Sequence, residues 1–128
     1  MENKGYQQYK EQSINSMTSN ELLLLLYDEL VKRLGRCELA LAQQNYPLLD
    51  ESVDRSLAIL RYLDDTLDPQ YPISRDLHRL YDFFSYELNR IKLGRNKAEL
   101  DKIRPMLADL RDTFRVADKN CADQSKQP

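Results

Sequence analysis

The stretch that decides the fold runs from Thr18 to Leu41 and reads TSNELLLLLYDELVKRLGRCELAL. Thr18 and Glu21 form the pattern of a capping box, in which each side chain can accept a hydrogen bond from the other residue's backbone N–H. Apolar residues then recur at spacings of three and four, which places them on one face of a helix. These are Leu23, Tyr27, Leu30, Leu34, Cys37 and Leu41. The stretch predicts a long helix with one buried face, ending at Asn45.

Two more helices are predicted downstream, each with its own boundary signals. Pro47 suits the first turn of a second helix, and the residue before Pro69 is pushed out of helical conformation. Ser74 predicts the N-cap of a third helix, and Gly94 its C-terminal stop. The predicted inward faces consist of Leu49, Val53, Leu60, Leu63 and Leu67, and of Leu77, Leu80, Tyr81, Phe84, Leu88 and Ile91.

A fourth helix is predicted to begin at Asn96, which forms a second capping box with Glu99. Its inward face would hold Leu100, Ile103, Leu107, Leu110 and Phe114. Pro105 lies inside this helix, where proline removes one backbone hydrogen bond and clashes with the carbonyl four residues back. We therefore expect a kink or a break near Ile103 and Arg104. The polar sequence after about Asp118 is expected to fray.

These segments predict an all-α protein, an antiparallel up-down four-helix bundle in one domain. The bundle should occupy residues 18–118, with a flexible N-terminal arm at 1–17 and a disordered tail at 119–128. Only 3 glycines and 5 prolines occur in 128 residues, which favours long helices over many short strands joined by turns. A chain of this length can bury a real core without disulfides.

Charge and hydropathy exclude several classes of protein. Lys and Arg number 19 against 21 Asp and Glu, so the chain lacks the basic excess typical of nucleic-acid binding. No apolar run approaches the roughly 20 residues of a membrane span, and the polar N-terminus does not resemble a signal peptide. We expect a cytoplasmic protein. Cys37 and Cys121 form no CxxC pair and are expected to be free thiols.

The case for an enzyme depends on His78, the single histidine. Asp82 lies four residues on, so the two side chains could share a helix face and hold a metal or move a proton. Two groups do not complete a metal site, and the sequence has no Gly-rich phosphate loop and no Ser-His-Asp set. We expect no catalytic residue, no metal site and no cofactor, and keep a metal-dependent enzyme at His78 as a minor alternative.

More apolar residues are present than four inward faces need. Leu25 and Leu39 fall on the outer side of the first helix, and Tyr62 on the outer side of the second. Leu22, Ile59, Phe83 and Tyr86 lie at helix edges or outside them. Isolated exposed apolar residues are normal and need no explanation. The alternative is a groove that accepts an amphipathic partner helix.

The order of these motifs resembles the FliS family, the flagellar secretion chaperones of flagellin. The N-terminal signature is carried by Tyr9, Ile14, Ser16, Thr18, Glu21-Leu22 and Leu26-Tyr27-Asp28. The later helices are matched by Val53 to Leu63 with Leu67-Asp68, by Leu77 to Leu88, and by Leu107 to Phe114. The resemblance spans residues 9–114.

The resemblance implies a non-catalytic chaperone that binds the disordered C-terminal segment of flagellin. Such a chaperone blocks premature polymerisation and hands its client to a component of the flagellar export gate. The resemblance also implies that the N-terminal arm covers part of the groove until the client arrives. The candidate contact and gate residues are Tyr9, Ile14, Met17, Leu22, Leu25, Ile59, Tyr62, Phe83 and Tyr86. The alternative function is a non-catalytic module for self-association or docking in a larger complex.

Overall fold

The computed structural model describes residues 19–125, with side chains from residue 20 to residue 117. This part of the chain forms four α-helices and contains no strand, which confirms the all-α prediction. The helices are α1 (Ser19–Ala42), α2 (Tyr46–Asp65), α3 (Ile73–Gly94) and α4 (Lys97–Ser125). The predicted arm at residues 1–17 and the capping residue Thr18 lie outside the described residues.

The helices run antiparallel in ring order, each packed on the next, with α4 returning to α1. Ion pairs show the reversal of direction between α1 and α4, because Asp28 meets Arg115 while the later Glu38 meets Arg104. Equivalent pairs relate α2 to α3 and α3 to α4 in the same way. The short connections of the sequence therefore produce the predicted up-down bundle.

The core consists of the residues that the 3.6-residue period places on the inward faces. The fully or nearly fully buried apolar side chains are Tyr27, Leu30, Leu34, Cys37, Ala40, Leu49, Val53, Leu60, Leu63, Leu77, Tyr81, Phe84, Leu88, Ile91, Leu100, Ile103 and Leu107. Six further predicted positions, Leu23, Leu41, Leu67, Leu80, Leu110 and Phe114, are partly buried against them. Burial raises the pKa of the Cys37 thiol to about 11, so this free cysteine stays protonated.

Two buried tyrosines connect helices across the bundle. The hydroxyls of Tyr27 in α1 and Tyr81 in α3 share a hydrogen bond, which satisfies both groups inside the core. The Tyr27 ring also stacks on Phe114 of α4, with 5.2 Å between ring centroids. Burial is the main cause that raises the pKa of both tyrosines, so both hydroxyls remain neutral.

The prediction of Ser74 as the N-cap of α3 is wrong by two residues. The helix begins at Ile73, with Pro72 in the capping position and no side-chain cap. Ser74 lies inside the first turn, and its hydroxyl donates to the carbonyl of Tyr71, 2.6 Å away. Because that carbonyl precedes the helix, Ser74 stabilises the turn that enters α3 without capping it.

The end of α3 also differs from the prediction that Gly94 makes the stop. Gly94 is still helical, and Arg95 takes the left-handed conformation with φ of 52°. A non-glycine residue there carries a steric cost. The Arg95 guanidinium lies 3.6 Å from the centroid of the Tyr46 ring, a cation–π contact that helps to offset this cost.

Asparagine caps two helices. Asn45, predicted as the end of the first helix, instead caps α2, where its side chain accepts from the Leu48 backbone N–H at 3.2 Å. Asn96 accepts from the Ala98 N–H at 2.9 Å, in agreement with its predicted role before α4. Both satisfy backbone donors that a helix start leaves without partners.

Of the kink or break predicted near Ile103 and Arg104, the break does not occur, because α4 is continuous from Lys97 to Ser125. Pro105 is on the exposed side of the helix. Ile103 and Leu107 are fully buried on either side of it. Their packing holds both halves of the helix against the bundle and outweighs the loss of one backbone hydrogen bond.

Replacing Pro105 by alanine should raise the free energy of unfolding by about 1–3 kcal/mol, since the helix regains a backbone donor and loses a steric clash. Urea unfolding followed by circular dichroism measures the change. Ala108→Gly, a substitution within the same helix, should lower stability and serves as the opposite control. If the urea midpoint of Pro105→Ala is unchanged or lower, Pro105 does not destabilise α4.

No helix in the described residues is both long and apolar enough to cross a membrane.

Candidate functional site

Two hollows follow one another along α1 and α2 on the surface of the bundle, and we call the two together the α1–α2 cleft. The first hollow has a volume of about 270 Å³. It is lined by Asn20, Leu22, Leu23, Leu26, Tyr62, Leu63 and Thr66. The second has a volume of about 680 Å³. It is lined by Glu29, Arg33, Glu51, Asp54, Arg55, Ala58 and Ile59.

Helical spacing places these residues along one line. Leu22, Leu26, Glu29 and Arg33 are four, three and four residues apart, so they share one face of α1. Because α2 runs in the opposite direction, its last turns face the start of α1. The cleft is therefore apolar at the end where α1 begins and charged at the other end.

Charge in the second hollow is balanced by ion pairs. They join Arg33 to Glu29 at 3.1 Å, Arg55 to Glu51 at 3.7 Å and Lys92 of α3 to Asp54 at 2.8 Å. Ion pairs at a protein surface contribute little stability. Their effect is to make one end of the cleft polar while the other end stays apolar, a combination that suits an amphipathic helix.

The cleft brings together three of the residues predicted from sequence. Leu22 and Tyr62 line the apolar hollow, and Ile59 lines the charged one. Tyr62 is 48% exposed, so its ring is available to a partner. Leu25, which is 40% exposed, lies on the neighbouring side of α1 and does not line either hollow.

The other described candidates, Phe83 and Tyr86, lie on a different face. Phe83 is partly buried beside α4, with the Lys102 ammonium 5.2 Å from its ring centroid. Tyr86 is 63% exposed, and the Arg90 guanidinium lies 5.9 Å from its ring. Since α3 and α4 pack on the opposite side of the ring from the α1–α2 cleft, Phe83 and Tyr86 do not line the cleft. Tyr9, Ile14 and Met17 lie outside the described residues.

Sequence reasoning missed part of the cleft wall. Leu23 and Leu63 were assigned to the core, and they do pack there, but they also form the base of the apolar hollow. Leu26, identified only through the family motif, lines the same hollow. The sequence signal for this wall is the run of five leucines at 22–26, because consecutive apolar residues cover more of the helix surface than one buried face needs.

A separate polar cluster lies where α2 meets α3. His78 Nδ1 is 2.6 Å from the Asp64 carboxylate of α2, and His78 Nε2 is 3.3 Å from the Asp82 carboxylate. The hydrogen bond and charge of Asp64, and then the charge of Asp82, raise the pKa of His78 above its usual value. The arrangement favours a protonated ring held between two carboxylates.

The same three residues include the pair considered as a metal site, His78 and Asp82. One ligand atom from each of Asp64, His78 and Asp82 lies within 4.8 Å of the others. Each carboxylate also lies within hydrogen-bond or ion-pair distance of its own ring nitrogen, an arrangement that a protonated imidazole satisfies without an ion.

Comparison with known proteins identifies the family. The family model described as "Flagellar protein FliS" matches residues 1–121. The chain belongs to the FliS family. The "Flagellar secretion chaperone FliS" of Bacillus subtilis (strain 168) is 23% identical over 112 residues, which cover 88% of this chain and 84% of that protein.

A solved structure shares the FliS fold seen here. The protein titled "Crystal structure of flagellar chaperone from bacteria" superposes with a TM-score of 0.75 at 24% sequence identity. The match covers 91% of this chain and 97% of the other. This likeness supports the four-helix architecture, in which the α1–α2 cleft lies outside a complete core.

Proposed function

We propose that this protein is a cytoplasmic flagellar secretion chaperone that binds the disordered C-terminal segment of flagellin in the α1–α2 cleft. The observation that carries the proposal is the open apolar hollow lined by Leu22, Leu26 and Tyr62. It exists beside a core that is already filled by other side chains. The Bacillus subtilis relative, named as a flagellar secretion chaperone, supports the same role.

The shape and polarity of the cleft suit a client segment that becomes helical on binding. A disordered segment loses conformational entropy when it folds on a partner, and this cost must be offset by burial of apolar surface. Each Å² of apolar surface buried contributes roughly 25 cal/mol before such costs. A client helix with apolar residues at one end and polar residues at the other would match the gradient along the cleft.

The chaperone role follows from covering the client. A flagellin segment held in the cleft cannot pair with another flagellin, so premature polymerisation is blocked until the client is handed to an export gate component. In this proposal the N-terminal residues Tyr9, Ile14 and Met17 cover the cleft before the client binds. Phe83 and Tyr86 offer a second contact surface to a client that extends around the bundle.

Calorimetric titration with a synthetic flagellin C-terminal peptide tests the function. Binding should release heat, and its enthalpy should become more negative as temperature rises, because apolar burial gives a negative heat-capacity change. A peptide of the same composition in scrambled order is the control. Absence of binding by the native peptide, or equal binding of both peptides, would contradict the proposal.

The second candidate function is a module for self-association or docking. It is favoured by apolar side chains far from the cleft, since Leu39 is 50% exposed and Leu93 is 85% exposed. Sedimentation equilibrium distinguishes the two functions. A stable dimer that persists when client peptide is added would favour this second function, and a monomer that binds the peptide one to one would favour the chaperone.

A further inference from the structure

The last turns of α2 take part in two different structures. Tyr62, Leu63 and Thr66 line the apolar hollow of the α1–α2 cleft. Asp64 lies in the same stretch, and its carboxylate forms a hydrogen bond with His78 Nδ1 of α3 at 2.6 Å. The contact between Asp64 and His78 therefore joins to α3 the part of α2 that forms one wall of the hollow.

The contact is complete only when the imidazole carries both protons. A protonated ring donates from both nitrogens, which suits the carboxylates of Asp64 and Asp82 on its two sides. A neutral ring keeps one N–H and presents a lone pair at the other nitrogen. One of the two carboxylates then faces that lone pair without a proton between them, and the arrangement becomes unfavourable.

Other charged and titratable groups surround the cluster. Arg75 and Asp76 of α3 and Tyr71 of the α2–α3 connection line the cavity next to His78. Tyr81, one helix position away from Asp82, has a buried hydroxyl bonded to Tyr27 of α1. The Tyr81 pKa is raised by burial, so this hydroxyl does not titrate in the range of histidine. Asp64 and Asp82 are therefore the groups that govern the charge of the ring.

We propose that protonated His78 holds the last turn of α2 against α3 and keeps the apolar end of the cleft ready for its client, so that client binding weakens when the ring loses its proton. The proposal rests on the proposed chaperone function. A wall that is fixed before binding costs less entropy to order when the client arrives. Loss of the contact leaves the half-exposed Tyr62 more mobile and raises that cost.

The direction of the pH effect follows from the raised pKa of His78 in the folded protein. The contact contributes its full stabilisation below the ordinary histidine pKa of about 6.5, where the ring is protonated in both folded and unfolded chains. This contribution is lost as pH rises through the higher pKa of the folded state. Client affinity should fall over the same interval.

Because the chain has one histidine, NMR can follow its imidazole without assignment ambiguity. The signals of His78 should titrate above the value seen in urea-unfolded protein, and Asp64→Asn should lower the midpoint. The Tyr62 ring and Leu63 methyl signals should shift with the same midpoint. The proposal would be overturned if His78 titrates with the same midpoint as in the unfolded protein. It would also be overturned if the Tyr62 and Leu63 signals do not change over the His78 titration.

Client affinity as a function of pH gives the second readout. The wild-type protein should lose affinity for the flagellin C-terminal peptide several-fold across the His78 titration. His78→Gln should bind with an affinity that does not follow this titration. Arg79→Gln, which removes a permanent charge from the next position, should keep the wild-type pH profile. If the affinity of His78→Gln depends on pH in the same way as that of the wild-type protein, the proposal is contradicted.

The two readouts separate failure of this inference from failure of the proposed function. If the peptide binds at no pH, the chaperone proposal fails, and the coupling of cleft binding to His78 fails with it. If the peptide binds equally at every pH while NMR shows no response of Tyr62 and Leu63, only the role of His78 fails.

Discussion

Replacing Tyr62 by glutamate should weaken binding of the flagellin C-terminal peptide by about 100-fold, or roughly 2.7 kcal/mol. Tyr62 lines the apolar hollow with Leu22 and Leu26. The substitution removes the apolar contact of the ring and places a carboxylate where the client would exclude water from it. The bundle itself should remain folded, because the ring is 48% exposed before the client binds.

Leu39→Glu provides a matched control for this experiment. Leu39 is 50% exposed, close to the value for Tyr62, and it also lies on a helix of the cleft. Helical geometry places it about 120° around α1 from the face that lines the cleft. Leu39→Glu should leave the affinity for the client peptide unchanged, and Tyr62→Phe should retain nearly all of the wild-type affinity. Equal losses for Tyr62→Glu and Leu39→Glu would contradict the assignment of the cleft.

The fold was largely accessible to sequence reasoning because the period of the apolar residues is a local property. The spacing of three and four from Leu23 to Leu41 fixes which face of α1 is buried, whatever the neighbouring helices do. The errors occur where tertiary contacts outweigh a local preference. Packing around Ile103 and Leu107 keeps α4 continuous through Pro105, although the local chemistry favours a break.

The candidate site was only partly accessible for a related reason. Helical angles show that Tyr62 and Tyr86 lie outside the inward faces of their own helices, and both are exposed. The angles cannot show which neighbouring helix each of them borders. The structure places Tyr62 at the α1–α2 cleft and Tyr86 on the outer side of α3, so two residues with similar helical positions belong to different faces of the bundle.

The polar cluster shows the same limit. Asp82 could be associated with His78 from their spacing of four residues on one helix. Asp64 lies on the preceding helix, and no local pattern connects it with His78. It nevertheless makes the shorter contact, 2.6 Å against 3.3 Å, and is the main cause of the raised histidine pKa. Interactions between helices therefore decide the chemistry of this cluster.

Replacing Phe84 by alanine should lower the free energy of unfolding by about 3–5 kcal/mol, the range for removal of a fully buried aromatic side chain. Phe84 is completely buried among the core residues of the bundle. The loss combines the transfer energy of the ring with the cavity that remains when the helices relax only partly. Chemical unfolding monitored by circular dichroism and by tyrosine fluorescence measures it, and the two transitions should coincide.

Phe83→Ala removes the same side chain from the adjacent position and is the matched control. Phe83 is only partly buried and keeps the Lys102 ammonium 5.2 Å from its ring, so its loss should cost about 1–2 kcal/mol. Phe83 also lies on the face beside α4 proposed as a second client surface. A larger stability loss for Phe83→Ala than for Phe84→Ala would mean that α3 presents a different side to the core. A loss of client affinity at Phe83→Ala with little loss of stability would assign that side chain to binding.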